Sequence, residues 1–263
     1  MEPKPRHLGA DYAAQFQDES VVRAYEHRPP YPAQLDSRLL ELLGPGPIQL
    51  LDLGCGTGEL ARRIAPHVAA VTAIDQSASM IARARELPGG LHPRIEWKVG
   101  AVESYPFDRP YSAVLAAQSF HWFDWYRLVP RLLNVIPSRR LIVVDGRGYS
   151  RAPWWKEIAR IIPSFSTNVH YEPYDGIEEL TRRGLLVVHG DESLLGEEFQ
   201  QDVDTYIESV HSRNGLSRDR MVPERAAEFD ALVRQCLRPH VHGGLLTLHS
   251  ACRITWGVFD AVG

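Results

Sequence analysis

The chain has 263 residues, 44% of them hydrophobic and 24% charged, which leaves room for one large α/β domain with an elaboration or for two small domains. A net charge of -4 gives no electrostatic footprint for a polyanion, so nucleic acid is not an expected partner. Cys55, Cys236 and Cys252 have neither the number nor the spacing for a disulfide framework or a zinc site, and no stretch is apolar enough for a signal segment or a membrane span, so the expectation is a cytoplasmic protein with no metal and no membrane contact.

Residues 1–45 read as N-terminal cap helices, and a core of alternating elements follows over 46–150. "IQLLDLG" is a buried strand, "ELARRIAPHV" a helix and "AAVTAID" a second strand. "SASMIARARE" is a helix with Ser77 as its N-cap, and "RIEWKVG" and "YSAVLAAQS" are the third and fourth strands. "WYRLVPRLLNVI" is a helix and "RRLIVVDGRG" a fifth strand. This alternation predicts an α/β fold with a parallel, doubly wound sheet. Right-handed crossovers then bring the loops after Leu53, Ile74, Val99 and Ala117 to one crevice. Past residue 150 the punctuation changes. Helices are expected at "WWKEIARII", "QDVDTYIESVHS" and "PERAAEFDALVRQCL", a loop with a short helix at "PSFSTNVHYEPYDGIEEL", and a strand at "GLLVVHG". Residues 151–244 read as a helical lid insertion with one further strand, not as an independently folding domain, and 245–263 as a final strand completing the core sheet.

The glycine turn narrows the ligand. Gly54, Gly56 and Gly58 are spaced G-x-G-x-G, without the last glycine of the dinucleotide fingerprint and without the Gly-Lys-Ser/Thr of a phosphate loop. Asp52 lies inside the turn region and Glu59 opens the helix, and both would repel a pyrophosphate while suiting an ammonium and a sulfonium. Asp75 ends the second strand, where an acid grips both hydroxyls of a ribose. The implied ligand is a nucleoside with a free diol and a cationic tail, a description that S-adenosylmethionine meets.

"LLDLGCGTGELARR" followed by "VTAIDQSASMIARAR" resembles the first two motifs of class I S-adenosylmethionine-dependent methyltransferases, most closely the type 11 group acting on small molecules. "YEHRPPYP", "VGAVESYPF" and "AAQSFHWFDW" extend the resemblance over roughly residues 16 to 148. It implies a Rossmann-like, mostly parallel seven-stranded sheet with an antiparallel last strand, S-adenosylmethionine as cofactor and a small-molecule acceptor. It further implies that Gly54, Gly56 and Gly58 admit the cofactor to the backbone, that Asp75 holds the ribose, and that Gln76 and Met80 flank ribose and adenine. Ala101 and Val102 would border the adenine edge, Gln118 the methionine part, and Tyr25 and Arg28 would close over the cofactor, Arg28 on its carboxylate. Many relatives carry Asp where this chain has Ala101, so adenine recognition here rests on backbone groups and packing.

The acceptor side is expected at "QSFHWFDW". His121, just past the fourth strand, is either a general base or a loop-fixing hydrogen bonder, and Trp122 is the aromatic placed at the acceptor pocket. Phe120, Phe123 and Trp125 are pocket or core. In the second half, His211 joins the catalytic candidates, with Ser212 and Arg213 beside it as a polar cluster for the acceptor, and His249 faces pocket or core. Met80 also reads as helix-face packing and Cys55 as a small buried residue. O-methylation of a carboxylate or hydroxyl is favoured, with C- or N-methylation open. The competing classes are a NAD-type Rossmann oxidoreductase and a cofactor-binding module without catalysis.

Overall fold

The computed structural model describes residues 4–150, 152–172 and 174–260. The expected ends of the first and last blocks, at 1–3 and 261–263, and residue 173 within the expected loop lie outside the described residues. In chain order, helices α1 (Ala10–Ala13), α2 (Glu19–Ala24) and α3 (Gln34–Leu43) precede strand β1 (Gln49–Leu53). Then come α4 (Glu59–Ile64), β2 (Ala70–Asp75), α5 (Ala78–Glu86), β3 (Ile95–Val99), β4 (Ala113–Ala117), α6 (Trp125–Val135) and β5 (Arg140–Ser150). The rest runs α7 (Trp155–Phe165), α8 (Gly176–Arg182), β6 (Leu186–Asp202), α9 (Val203–His211), α10 (Pro223–Leu237) and β7 (Leu245–Phe259).

The strands form one seven-stranded sheet in the order β3-β2-β1-β4-β5-β7-β6. Pairing is parallel from β3 to β5, and the last strands are antiparallel. Leu50, Leu51 and Leu53 of β1 and Ala113 to Ala116 of β4 are all buried, because a central parallel strand is covered on both faces and needs an unbroken apolar run. The fold matches the expected doubly wound sheet. One element is longer than its sequence suggests: the strand at "GLLVVHG" continues to Asp202.

The chain divides into two compact units, and the division is discontinuous. The sheet unit comprises 33–147, 174–194 and 252–263, and its core packs Leu51, Ile74, Val114, Phe120, Trp125 and Leu128. The helical unit comprises 1–32, 148–173 and 195–251, with a core of its own around Trp154, Ile158, Tyr206, Phe229 and Val233. The two units cut across the four expected blocks 1–45, 46–150, 151–244 and 245–263. In this division α3 falls in the sheet unit, and the expected lid 151–244 is shared between the units. Long strands cause the difference, since β5, β6 and β7 each contribute residues to both units. Among the described residues no helix is long and apolar enough to cross a membrane.

Candidate functional site

The strand order reverses between β1 and β4, and this topological switch point, at the carboxyl ends of the strands, is where open α/β sheets bind their ligands. Gly54, Gly56 and Gly58 occupy the first of these loops with φ of 66°, 55° and 68°, a left-handed backbone that side chains disfavour. Space excludes a side chain as well. A Cβ on Gly54 would come within 2.6 Å of Ser119 Cβ, and one on Gly58 within 2.1 Å of Trp97 Cη2. The Ile74 carbonyl of β2 accepts from the amides of Gly54 at 2.8 Å and Cys55 at 3.1 Å, fixing the loop against its neighbour strand. Ser119 Oγ donates to the Leu53 carbonyl at 2.6 Å and ties the loop after β4 to the end of β1.

Two carboxyl groups stand in this loop cluster. Asp75, half-buried at the end of β2, accepts from the Gly56 amide through Oδ2 and from the Ser77 amide through Oδ1, both at 2.8 Å. Asp52 is 2% exposed, and its Oδ1 has no hydrogen-bond partner. Burial, and then the neighbouring Asp75, push the Asp52 carboxyl up to about 7. Burial also raises Asp75, against the pull of its two amide donors. Burial and both carboxyls drive the Cys55 thiol well up, which disfavours its thiolate. A buried carboxyl without a donor, beside a backbone cleared of side chains, fits a ligand that brings a positive group and needs close backbone approach.

Around this centre, Ser77 caps α5 by accepting from the Met80 amide at 3.2 Å. Gln76 is exposed, whereas Met80 is 1% exposed. Ala101 is exposed, but Val102 belongs to the hydrophobic core, which leaves its backbone rather than its side chain for a ligand. The loop carrying both is held by Arg131 of α6, which donates to the carbonyls of Val102, Glu103 and Tyr105 at 3.4, 2.5 and 2.6 Å. Gln118 follows β4 with φ 57°, unusual for a residue other than glycine, and its amide donates to the Val144 carbonyl at 2.8 Å. His121 and Trp122 lie next in a short 3₁₀ turn, both half-buried with ring centroids 5.0 Å apart. Gly176 at the start of α8 brings its backbone against His121, since a Cβ there would lie 3.5 Å from His121 Cβ. Phe120 and Trp125 are core residues, with Trp125 Nε1 donating to the Phe120 carbonyl at 2.7 Å.

Ser119, Trp97 and Arg131 are the residues missed in sequence. Ser119 and Trp97 stood within quoted segments, but their partners come from other strands. Arg131 lies on a helix with no local signal of what it holds.

Tyr25, Arg28 and His211 belong to the helical unit. Arg28 donates from Nε to Ser212 Oγ at 2.9 Å and lies over the Tyr25 ring at 3.9 Å. His211, expected among the catalytic groups, lies inside this unit. It is 1% exposed, with Nδ1 2.7 Å from the Leu216 carbonyl and Nε2 2.7 Å from Asp230 Oδ1, so both ring nitrogens are engaged inside the fold. Ser212 is fully buried, and Arg213 stacks on Trp155 at 4.4 Å. Among the described residues, no group of three or more His, Cys, Asp or Glu side chains is arranged to hold a metal.

Residues 50–137 match the sequence profile described as a methyltransferase domain. An uncharacterised methyltransferase of Mycobacterium tuberculosis is 34% identical over 146 residues, 54% of this chain and 57% of its own length. The chain thus spans little more than half of that curated relative. A solved candidate type II methyltransferase from Anaeromyxobacter dehalogenans superposes with TM-score 0.60 at 22% identity, over 89% of this chain and 97% of the other. A phosphoethanolamine N-methyltransferase of Haemonchus contortus, solved with phosphomonomethylethanolamine and S-adenosylhomocysteine, superposes with TM-score 0.51 at 17% identity, over 95% and 60%. At these identities the two structures establish the fold.

Proposed function

We propose that the chain, whose residues 50–137 match a methyltransferase domain, is a class I S-adenosylmethionine-dependent methyltransferase and that it methylates a small-molecule acceptor, with the oxygen of a carboxylate or hydroxyl favoured over carbon or nitrogen. The observation that carries the reading is the pair Asp52 of β1 and Asp75 at the end of β2, flanking the glycine loop at the β1/β4 reversal, with Asp52 Oδ1 buried and without a hydrogen-bond partner. S-adenosylmethionine is the cofactor, and its sulfonium supplies an already activated methyl group. The same fold holds S-adenosylhomocysteine in the Haemonchus enzyme.

The protein's work is binding, alignment and exclusion of water. The Gly54–Gly58 backbone takes the cofactor close to the strand ends, and Asp75 keeps lone pairs beyond its two amide donors for a ribose diol. Gln76, Met80, Ala101 and Val102 border the nucleoside, and the Arg131 clamp keeps that last loop in place. Gln118 lines the donor end. His121 orients or deprotonates the acceptor and Trp122 walls its pocket. Tyr25 and Arg28 stay assigned to the cofactor's carboxylate end on the resemblance of "YEHRPPYP" alone. The partners are small molecules, with neither nucleic acid nor membrane, the location cytoplasmic, and no metal participates.

A screen of pooled metabolites with isotope-labelled S-adenosylmethionine, read by mass, tests the proposal. A methylated product is expected. Tighter binding of NAD than of S-adenosylmethionine would assign an oxidoreductase, and cofactor binding without transfer to any pool would reduce the protein to a binding module.

A further inference from the structure

We infer that the ligand-free site stores a proton on Asp52 and that a cationic group of the cofactor displaces this proton on binding. The inference rests on the S-adenosylmethionine reading and adds a proton to its binding equilibrium.

The geometry makes Asp52 and Asp75 unequal. Asp75 receives two amide donors at 2.8 Å, and such donors hold a carboxylate in its ionised form. Asp52 sits deeper, at 2% exposure, and its Oδ1 has no donor. Its strand neighbours offer none, for Asp52 is in register with Ala73 of β2 and Leu115 of β4. The titratable groups around it are Asp75 from β2 and the Cys55 thiol from the glycine loop. Strand β4 presents only alanine, valine and leucine over Ala113–Ala117, and Glu59 at the start of α4 faces Arg63 at 3.7 Å. Among the described residues no cationic side chain pairs with Asp52. An ionised carboxylate in that position, next to a second one, is strongly disfavoured, and a proton is the cheapest remedy.

A ligand cation is the alternative remedy. With a positive group beside it, Asp52 ionises, and the proton leaves for solvent. The sign follows. The free site's carboxyl is raised to about 7, and the complex lowers it, so below that pH the cofactor must displace a proton and above it need not. Affinity therefore rises with pH up to about 7 and then levels, by roughly tenfold between pH 6 and pH 8. The cation is either the cofactor's ammonium or its sulfonium. S-adenosylhomocysteine keeps only the ammonium, and 5′-methylthioadenosine carries neither.

Isothermal titration of the full chain at pH 6, repeated in buffers of different ionisation enthalpy, counts the protons released. Close to one proton per bound S-adenosylmethionine is expected at pH 6; at pH 8 Asp52 releases almost none, and if the ammonium is the binding group the cofactor's amine, ordinarily titrating at about 7.7–8, takes up part of a proton instead, while 5′-methylthioadenosine releases none at either pH. Release with S-adenosylhomocysteine as well assigns the ammonium, and release with S-adenosylmethionine alone assigns the sulfonium. Asp52→Asn should abolish both the release and the rise of affinity with pH. S-adenosylmethionine that binds at pH 6 without releasing a proton overturns the inference and leaves the cofactor reading intact. The inference also fails if Asp52→Asn binds with the wild-type pH dependence. Failure of all three nucleosides to bind overturns the cofactor reading itself.

Discussion

Replacing Asp75 by alanine separates the two tasks that the structure gives this carboxylate. Within the protein it accepts from the amides of Gly56 and Ser77, each at 2.8 Å, which staples the glycine loop to the start of α5. Hydrogen bonds to a charged group contribute about 1.5–3 kcal/mol each, but burial already penalises this carboxylate, so relief of that penalty offsets part of the loss. A net destabilisation of about 1–3 kcal/mol follows, visible as a lower urea midpoint. Toward the cofactor the same change removes two charge-assisted bonds to the ribose diol, about 2–3 kcal/mol, or roughly 30- to 150-fold in Kd. Calorimetric titration with S-adenosylhomocysteine, on protein shown to be folded at the assay temperature, measures the second effect apart from the first. A lowered urea midpoint with unchanged affinity would refute the ribose role and leave Asp75 a loop staple.

Other changes probe the loop, its proton, the second unit and the acceptor side. Gly58→Ala forces a side chain into a φ of 68° and to within 2.1 Å of Trp97, and should cost about 2–4 kcal/mol by urea denaturation; a loss below about 1 kcal/mol would mean that Trp97 gives way freely. Because Asp52 is raised to about 7 in the fold, the ligand-free protein loses stability as pH climbs from the ordinary carboxylate range toward 7. Asp52→Asn should flatten that loss and, at pH 8, be more stable than wild type by about 2–4 kcal/mol, as thermal melts at pH 5 and pH 8 will show. His211→Ala leaves the Asp230 carboxylate without its ring partner at 2.7 Å and should destabilise by about 3 kcal/mol in urea; a loss below about 1 kcal/mol would mean that the pair does not hold α9 to α10. Once an acceptor is known, His121→Ala should lower kcat at least tenfold with cofactor Kd within about twofold of wild type, while Trp122→Ala should chiefly raise the acceptor KM; wild-type turnover in His121→Ala would make that residue structural.

The core elements were readable because buried parallel strands and amphipathic helices carry strong periods, and "LLDLG" or "AVLAA" can be little else. Strand β6 was half legible. Leu186 opens it in the apolar style, but Asp191, Glu192, Glu197 and Glu198 lie on an edge strand with one side open, where burial no longer shapes the pattern. The change of punctuation past residue 150 marked one unit boundary, but those within β6 and β7 left no mark, because composition does not shift inside a strand. His211 looked like a polar cluster facing a pocket because its partner, Asp230, sits on the next helix, and sequence cannot show which way a histidine turns. Asp52 was legible as an acid in the turn. Its missing donor was not, since that depends on what Ala73 and Leu115 place beside it.

The same missing donor decides between the two cofactor chemistries that share this architecture. Charges about 5 Å apart at an effective dielectric of about 20 interact by roughly 3 kcal/mol. A dinucleotide would bring a pyrophosphate with two negative charges to a loop that already holds Asp75 and, above pH 7, an ionised Asp52. Each close pair would then weaken binding by about two orders of magnitude, and no arginine or lysine of β1, β2 or the glycine loop offsets it. For a nucleoside with a cationic tail the sign reverses, and the carboxylates that repel one ligand hold the other. A glycine loop at a strand-order reversal is common to both classes. What distinguishes this one is the charge buried beneath it, and that charge asks for a cation.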